Sequence, residues 1–148
     1  MDKKVRQRRN QKEVALSEQT LIVLKPDSVE RNLIGEILSR FEKSNFKIIK
    51  LQKMNYTKEM AEEFYSAHKE KPFFGELVSY ITSGPVVAAV LEGENVVAKT
   101  REINGETDPK KAEKGSIRGD FGIDITSNTI HASDSPQSFE KEVKVVFP

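Results

Sequence analysis

The sequence predicts an α+β fold, a ferredoxin-like βαββαβ four-stranded antiparallel sheet with additional helices and a long loop before the last strand. Three observations predict it. Four short runs rich in Val, Ile and Leu alternate with stretches whose apolar residues recur at helical spacing. The resulting order, β-α-β-α-β-α-β-α, contains two principal helical crossovers. No internal repeat interrupts it. A parallel doubly wound sheet is the other arrangement this order allows.

The first strand is Thr20 to Lys25, which the chain must leave at Pro26 because proline has no N–H for a ladder. Ile34, Ile37, Leu38 and Phe41 mark an amphipathic helix with Asn32 as its cap, and Phe46 to Met54 is a second strand. Thr57 caps the next helix, whose apolar face runs through Ala61, Phe64, Tyr65 and His68. Pro72-Phe73-Phe74 breaks it, and a short helix follows through Leu77 and Ile81. After the turn Ser83-Gly84-Pro85 comes the most apolar strand, Val86 to Leu91. A helix over Val96 to Asn104 is closed by Gly105. Residues 105–127 are rich in Gly, Lys, Asp and Thr with little periodicity; a loop of that length is either disordered or functional. A last short strand ends at His131, and Ser135 followed by Pro136 starts a helix with Phe139, Val143 and Val146 on its buried face.

The 148 residues suit one domain with a sizeable core, and no apolar run approaches the length of a membrane span. With no cysteine there are no disulfides or thiolate metal sites, and two histidines make a His-based metal cluster improbable. The formal charge of +1 hides an asymmetry. Six basic residues against two acidic ones give Met1–Ser17 a balance of +4, which leaves about −3 for the rest. Residues 1–17 therefore read as a basic, disordered, solvated arm preceding a domain over 18–148. The sharper reading is an electrostatic arm for nucleic acid, anionic lipid or a partner, and nucleic acid could bind only through it. No aromatic residue is interleaved there, so base stacking gains no support.

Glu142 follows Phe139 by three residues and falls on or beside an apolar helix face, where a carboxylate is costly unless hydrogen-bonded. His131 is the natural partner. A carboxylate on one ring nitrogen fixes the tautomer and leaves the other as a nucleophile. Taken alone, a histidine at a strand end is more often structural. Neither a Gly-x-x-x-x-Gly-Lys-Ser/Thr nor a Gly-x-Gly-x-x-Gly cradle is present, so phosphate would need discrete side chains. Lys25, Arg101, Thr107 and Arg118 are the candidates.

The segments Lys25-Pro26-Asp27, Tyr65 with Pro72-Phe73-Phe74, Ser83-Gly84-Pro85, Gly105-Glu106-Thr107, Ile117-Arg118-Gly119-Asp120-Phe121 and Asn128-x-x-His131-x-Ser-Asp-Ser resemble nucleoside diphosphate kinase motifs, in the family's order. The resemblance spans roughly Glu18 to Phe147. It implies transfer of the γ-phosphate of a nucleoside triphosphate such as ATP to a nucleoside diphosphate by a ping-pong route, maintaining triphosphate pools. His131 resembles the phosphorylated nucleophile and Glu142 its orienter. Lys25, Arg101, Thr107 and Arg118 look like phosphate contacts, with Tyr65 near the nucleophile. Asn128 matches the sugar contact and Phe73 the residue stacked on the base; the bland reading of Phe73 and Phe74 is core packing. The resemblance also implies Mg²⁺ bound through the nucleotide phosphates, with Asp134 the nearest matching carboxylate and no dedicated protein metal site. It further implies a cytoplasmic homo-hexamer or homo-tetramer built from dimers, with no membrane partner.

Four positions depart from the commonest pattern: Ala132 for glycine, Ser28 for glycine or alanine, Gln137 for glutamate and Lys114 for proline. A backbone needing positive φ at Ala132 would be strained. The competing reading is a binding module served by its basic arm, which removal of residues 1–17 would discriminate.

Overall fold

Leu21, Ile22, Val23 and Leu24 are all fully buried, so β1 (Ser17–Leu24) must lie in a sheet covered on both faces. β3 (Val86–Glu94) is buried over its first six residues in the same way. The computed structural model, which describes residues 17–148, pairs these two strands antiparallel at the centre of the sheet. β2 (Lys47–Met54) adds antiparallel to β3, and β4 (Ile130–Ala132) antiparallel to β1. The order is β2-β3-β1-β4, the ferredoxin-like arrangement, and the parallel alternative is excluded. Continuous apolar runs here reflect two-sided burial and not parallel pairing. The expected arm over 1–17 lies outside the described residues, save for Ser17, which opens β1.

Seven helices flank the sheet among the described residues: α1 (Pro26–Glu30), α2 (Ile34–Lys43), α3 (Lys58–Phe64), α4 (Phe74–Ile81), α5 (Val96–Asn104), α6 (Ile117–Phe121) and α7 (Pro136–Val146). Strand alternation divides them between two cores. Leu21 and Val23 with Ala88 and Val90 pack against Ala61 and Phe64 of α3, Val78 and Ile81 of α4, and Val146 of α7. Ile22 and Leu24 with Val87, Ala89 and Leu91 pack against Ile37 and Phe41 of α2, Val96 of α5 and Ile117 of α6. Each fully buried aliphatic or aromatic side chain contributes about 1.5–3 kcal/mol.

The expected caps at Thr57 and Ser135 form, each hydroxyl accepting a backbone N–H three residues on, at 3.1 Å from Met60 N and Ser138 N; each is worth about 1 kcal/mol. Asn32 does not cap α2. It turns the chain out of the short α1 with φ of 58°, a region asparagine tolerates, and Leu33 takes the cap position without a side-chain bond. The helix over Tyr65 and His68 stops at Phe64 and continues as a 3₁₀ turn, Ser66–His68. The long segment before the last strand contains α6, whose five residues are too few to show periodicity; Ser116 caps it by accepting from Gly119 N at 3.1 Å. His131 stands in the middle of β4, not at its end, because Asn128 and Thr129 form the turn that precedes the strand.

Candidate active site

Ile130 and Ala132 point into the second core, so alternation turns His131 to the opposite face. There its ring meets Phe64 and Tyr65 edge-on, with centroids 4.8 and 6.4 Å away. α7 brings Glu142 to the same place, and the Glu142 Oε1 is hydrogen-bonded to His131 Nε2. The Ser133 hydroxyl, fully buried, donates to that oxygen at 3.4 Å. An ionised carboxylate only accepts, so Nε2 carries the hydrogen and Nδ1 the lone pair. Among the described residues Nδ1 has no hydrogen-bond partner.

Three cations line the same cleft as this imidazole. Lys25, 5% exposed where β1 gives way to α1, donates from Nζ to Thr126 O at 3.3 Å. Burial, then the neighbouring Arg118, pushes its ammonium down to about 8, against the opposing pull of Asp27 and Asp124. Arg118 on α6 donates from Nη1 to Gly105 O at 2.8 Å and from Nη2 to Ile130 O at 2.7 Å. Burial and the charge of Arg101 lower it to about 10, so it stays cationic at neutral pH. Gly105 closes α5 with φ of 82°, and a Cβ there would come within 2.7 Å of Ser116 Cβ, which explains the glycine under this arginine. Arg101 lies exposed on the last turn of α5.

These groups line one cleft of about 470 Å³, which contains every sequence-predicted site residue: His131, Glu142, Lys25, Tyr65, Phe73, Arg101, Thr107, Arg118 and Asn128. Tyr65 is buried, and burial followed by the Glu142 charge raises its phenol well above its usual value, so it remains an O–H donor. Asn128 donates from Nδ2 to Thr107 O at 3.0 Å, while its buried Oδ1 has no hydrogen-bond partner among the described residues. Phe73 stands at the mouth, packed on His68 with ring centroids 5.8 Å apart. Asp134 accepts from Ser138 Oγ at 2.5 Å; that bond and the nearby Arg101 hold its carboxyl below the usual range.

Sequence reasoning missed Ile125, an exposed aliphatic at the mouth, and Thr126, whose carbonyl holds Lys25. No pattern could have found Thr126, since a backbone acceptor leaves no residue signature. Among the departures, Ser28 is buried and donates its hydroxyl to Lys25 O at 2.8 Å, so it carries no unpaired polar group. Ala132 has no positive φ and is unstrained. Lys114 and Gln137 are exposed and lie outside the cleft.

The description of the nucleoside diphosphate kinase family matches residues 18–148. A nucleoside diphosphate kinase of Halalkalibacterium halodurans is 57% identical over 130 residues, 88% of either chain. The nucleoside diphosphate kinase of Aquifex aeolicus superposes with a TM-score of 0.87 at 50% identity, covering 89% of this chain and 96% of that one. The enzyme of Halobacterium salinarum in complex with CDP gives a TM-score of 0.86 at 43% identity over 88% of each chain. With the fold, the cleft and the match over residues 18–148 in agreement, this chain belongs to the nucleoside diphosphate kinase family.

Proposed function

We propose that the protein transfers the γ-phosphate of a nucleoside triphosphate such as ATP to a nucleoside diphosphate, through a phosphohistidine on His131. The observation that carries this reading is the His131–Glu142 pair, which frees Nδ1 in a cleft also lined by Lys25, Arg101 and Arg118. Nδ1 attacks the γ-phosphorus, the bond to the β,γ-bridging oxygen breaks, and the diphosphate leaves with that electron pair. A terminal oxygen of the second diphosphate then attacks the phosphorus, and the N–P bond returns its pair to Nδ1. Glu142 stabilises the ring while it carries positive charge. Lys25, Arg101 and Arg118 neutralise the phosphates, Thr107 and Tyr65 add hydroxyl donors, and holding the reactants in line supplies much of the rate.

Asn128 meets the sugar and Phe73 stacks on the base. Stacking needs only a π-face, is worth about 1–3 kcal/mol per base and tolerates any of them. The complex of the Halobacterium salinarum relative with CDP supports a nucleotide in this cleft. Among the described residues no group of three or more His, Asp or Glu side chains converges to hold a metal alone. The cleft does offer the ionised Asp134, which fits Mg²⁺ held mainly by phosphate oxygens and water. When bound, Mg²⁺ supplies charge neutralisation on the phosphates.

We further assign a cytoplasmic homo-hexamer or homo-tetramer built from dimers. No described helix is long and apolar enough to cross a membrane. β2 is an edge strand with Ile49 and Leu51 exposed, a surface suited to another subunit. Light scattering measures the assembly.

The deciding experiment is phosphoenzyme formation. γ-Labelled ATP with Mg²⁺ should give acid-labile label on the protein that chases into GTP when GDP is added. His131→Ala should stay unlabelled. A folded, nucleotide-binding protein that takes no label overturns the reading.

A further inference from the structure

Thr129 is fully buried and has φ of 79°. The three other non-glycine residues with positive φ among those described are Asn32, Asn45 and Asn95, the residue type that tolerates it best. A β-branched side chain is out of place there. Ile130 N–H donates to Asn128 O at 2.9 Å, closing a ring over Thr129 alone; with positive φ this is the rare, strained form of the γ-turn. Nothing in the threonine offsets the strain, since its hydroxyl has no hydrogen-bond partner among the described residues.

The compensation lies in what the turn holds. The Asn128 carbonyl closes it, the Thr129 carbonyl accepts from Lys25 N at 2.9 Å, and the Ile130 carbonyl accepts from Arg118 Nη2 at 2.7 Å. The Asn128 side chain reaches Thr107 O at 3.0 Å, and His131 follows at once on β4. Lys25, Arg118 and His131, from separate elements, are thus referenced, with Asn128 itself, to one three-residue turn. Relaxing Thr129 to an extended conformation would rotate the adjoining peptides and turn their carbonyls away from Lys25 and Arg118. Strain at a residue so over-determined persists when the arrangement it imposes is used.

We infer that Thr129 is a positioning residue: its left-handed turn sets Lys25, Arg118 and Asn128 against the His131 imidazole, and its fully buried side chain holds the turn against relaxing to other conformations. Glycine would accept the same φ without strain but would visit negative φ about as readily, loosening all four groups together. A side chain enclosed on all sides, as that of Thr129 is, removes that freedom. The inference rests on the phosphotransfer reading above.

The test compares Thr129→Gly, Thr129→Ala and Thr129→Val in single-turnover phosphorylation of His131 by ATP, with ADP affinity measured by calorimetry. The expected rate falls about tenfold in Thr129→Ala and about a hundredfold in Thr129→Gly, while ADP affinity changes by less than about threefold. Thr129→Val, which keeps the branch and drops only the unpartnered hydroxyl, restores the parental rate. A parental rate in both Thr129→Gly and Thr129→Ala overturns the inference, as does a loss of ADP affinity as large as the loss of rate. If Thr129→Gly does not fold, equal rates for Thr129→Ala and Thr129→Val overturn it. A parent protein that forms no phosphoenzyme overturns the phosphotransfer reading and this inference with it; a parent that does, with variants at its rate, overturns this inference alone.

Discussion

At the inner end of the cleft Lys25, Asn128 and Glu142 are nearly sealed from solvent, and each is tied to a backbone carbonyl or a ring. At the mouth Phe73 and Ile125 are 43% and 62% exposed and offer only apolar surface. The inner end holds charge where the dielectric is low, so each cation there is both costly to bury and strong in action. The mouth gives little contact energy and little geometry. An enzyme whose substrates share their phosphates but differ in their bases has reason to place rigidity at one end and tolerance at the other.

The largest test of this contrast is Arg118→Ala. The change removes the cation that the proposed mechanism sets on the reacting phosphate, and it takes from the carbonyls of Gly105 and Ile130 the guanidinium that donates to them. Turnover should fall about 10³-fold, and urea denaturation should register about 1–3 kcal/mol of lost stability. A loss of less than about tenfold would mean that the phosphates are not held at this end.

Next in size is a pH effect at Lys25. Its ammonium is lowered to about 8 by burial first and Arg118 second, and bound phosphate favours the charged form. Between about 8 and 10.5 the unfolded chain therefore holds more protons at this residue than the folded one, so this group's contribution to stability rises with pH across that window. Activity runs the other way. kcat/KM should fall above pH of about 8, by up to tenfold per unit, and Lys25→Arg, slower though it is, should remove that fall. A parental profile flat to about pH 9.5 would place the binding charge elsewhere.

At the mouth the effects should be smaller and of another kind. Phe73→Ala should raise KM about tenfold or more, by similar factors for adenine, guanine and cytosine nucleotides, with kcat nearly unchanged. A kcat loss matching the KM rise would erase the division between the two ends, because the mouth would then be positioning phosphate.

The inner end was also the more legible from sequence, for a physical reason. Charged and ring-bearing residues in the order of a known motif set identified Lys25, Arg118, His131 and Glu142, and two-sided apolar runs with the caps Thr57 and Ser135 identified the strands and longer helices. What stayed hidden is carried by the backbone. The acceptors Thr126 O, Gly105 O and Ile130 O belong to every residue type, so no sequence pattern marks them. α1 and α6 are each five residues, too short for a period to emerge. Thr129 runs against its own propensity, and only its neighbours' hydrogen bonds explain the turn. Which ring nitrogen of His131 is free likewise depends on the approach of α7, a tertiary fact.

Ala132 supplies the smallest test and bears on how finely the inner wall is fitted. From sequence, alanine in place of glycine beside the nucleophile raised the prospect of strain. In β4 its backbone avoids positive φ and pairs with Ile22, and its methyl, 8% exposed, packs in the second core, on the face away from His131. Glycine there would forfeit a buried methyl and add backbone entropy to the unfolded chain, so Ala132→Gly should cost about 1 kcal/mol by thermal denaturation. Turnover should stay within about twofold, since no atom that touches phosphate is altered. If turnover rises instead, the methyl is acting through β4 on the imidazole, and the inner end is held less tightly than its hydrogen bonds require.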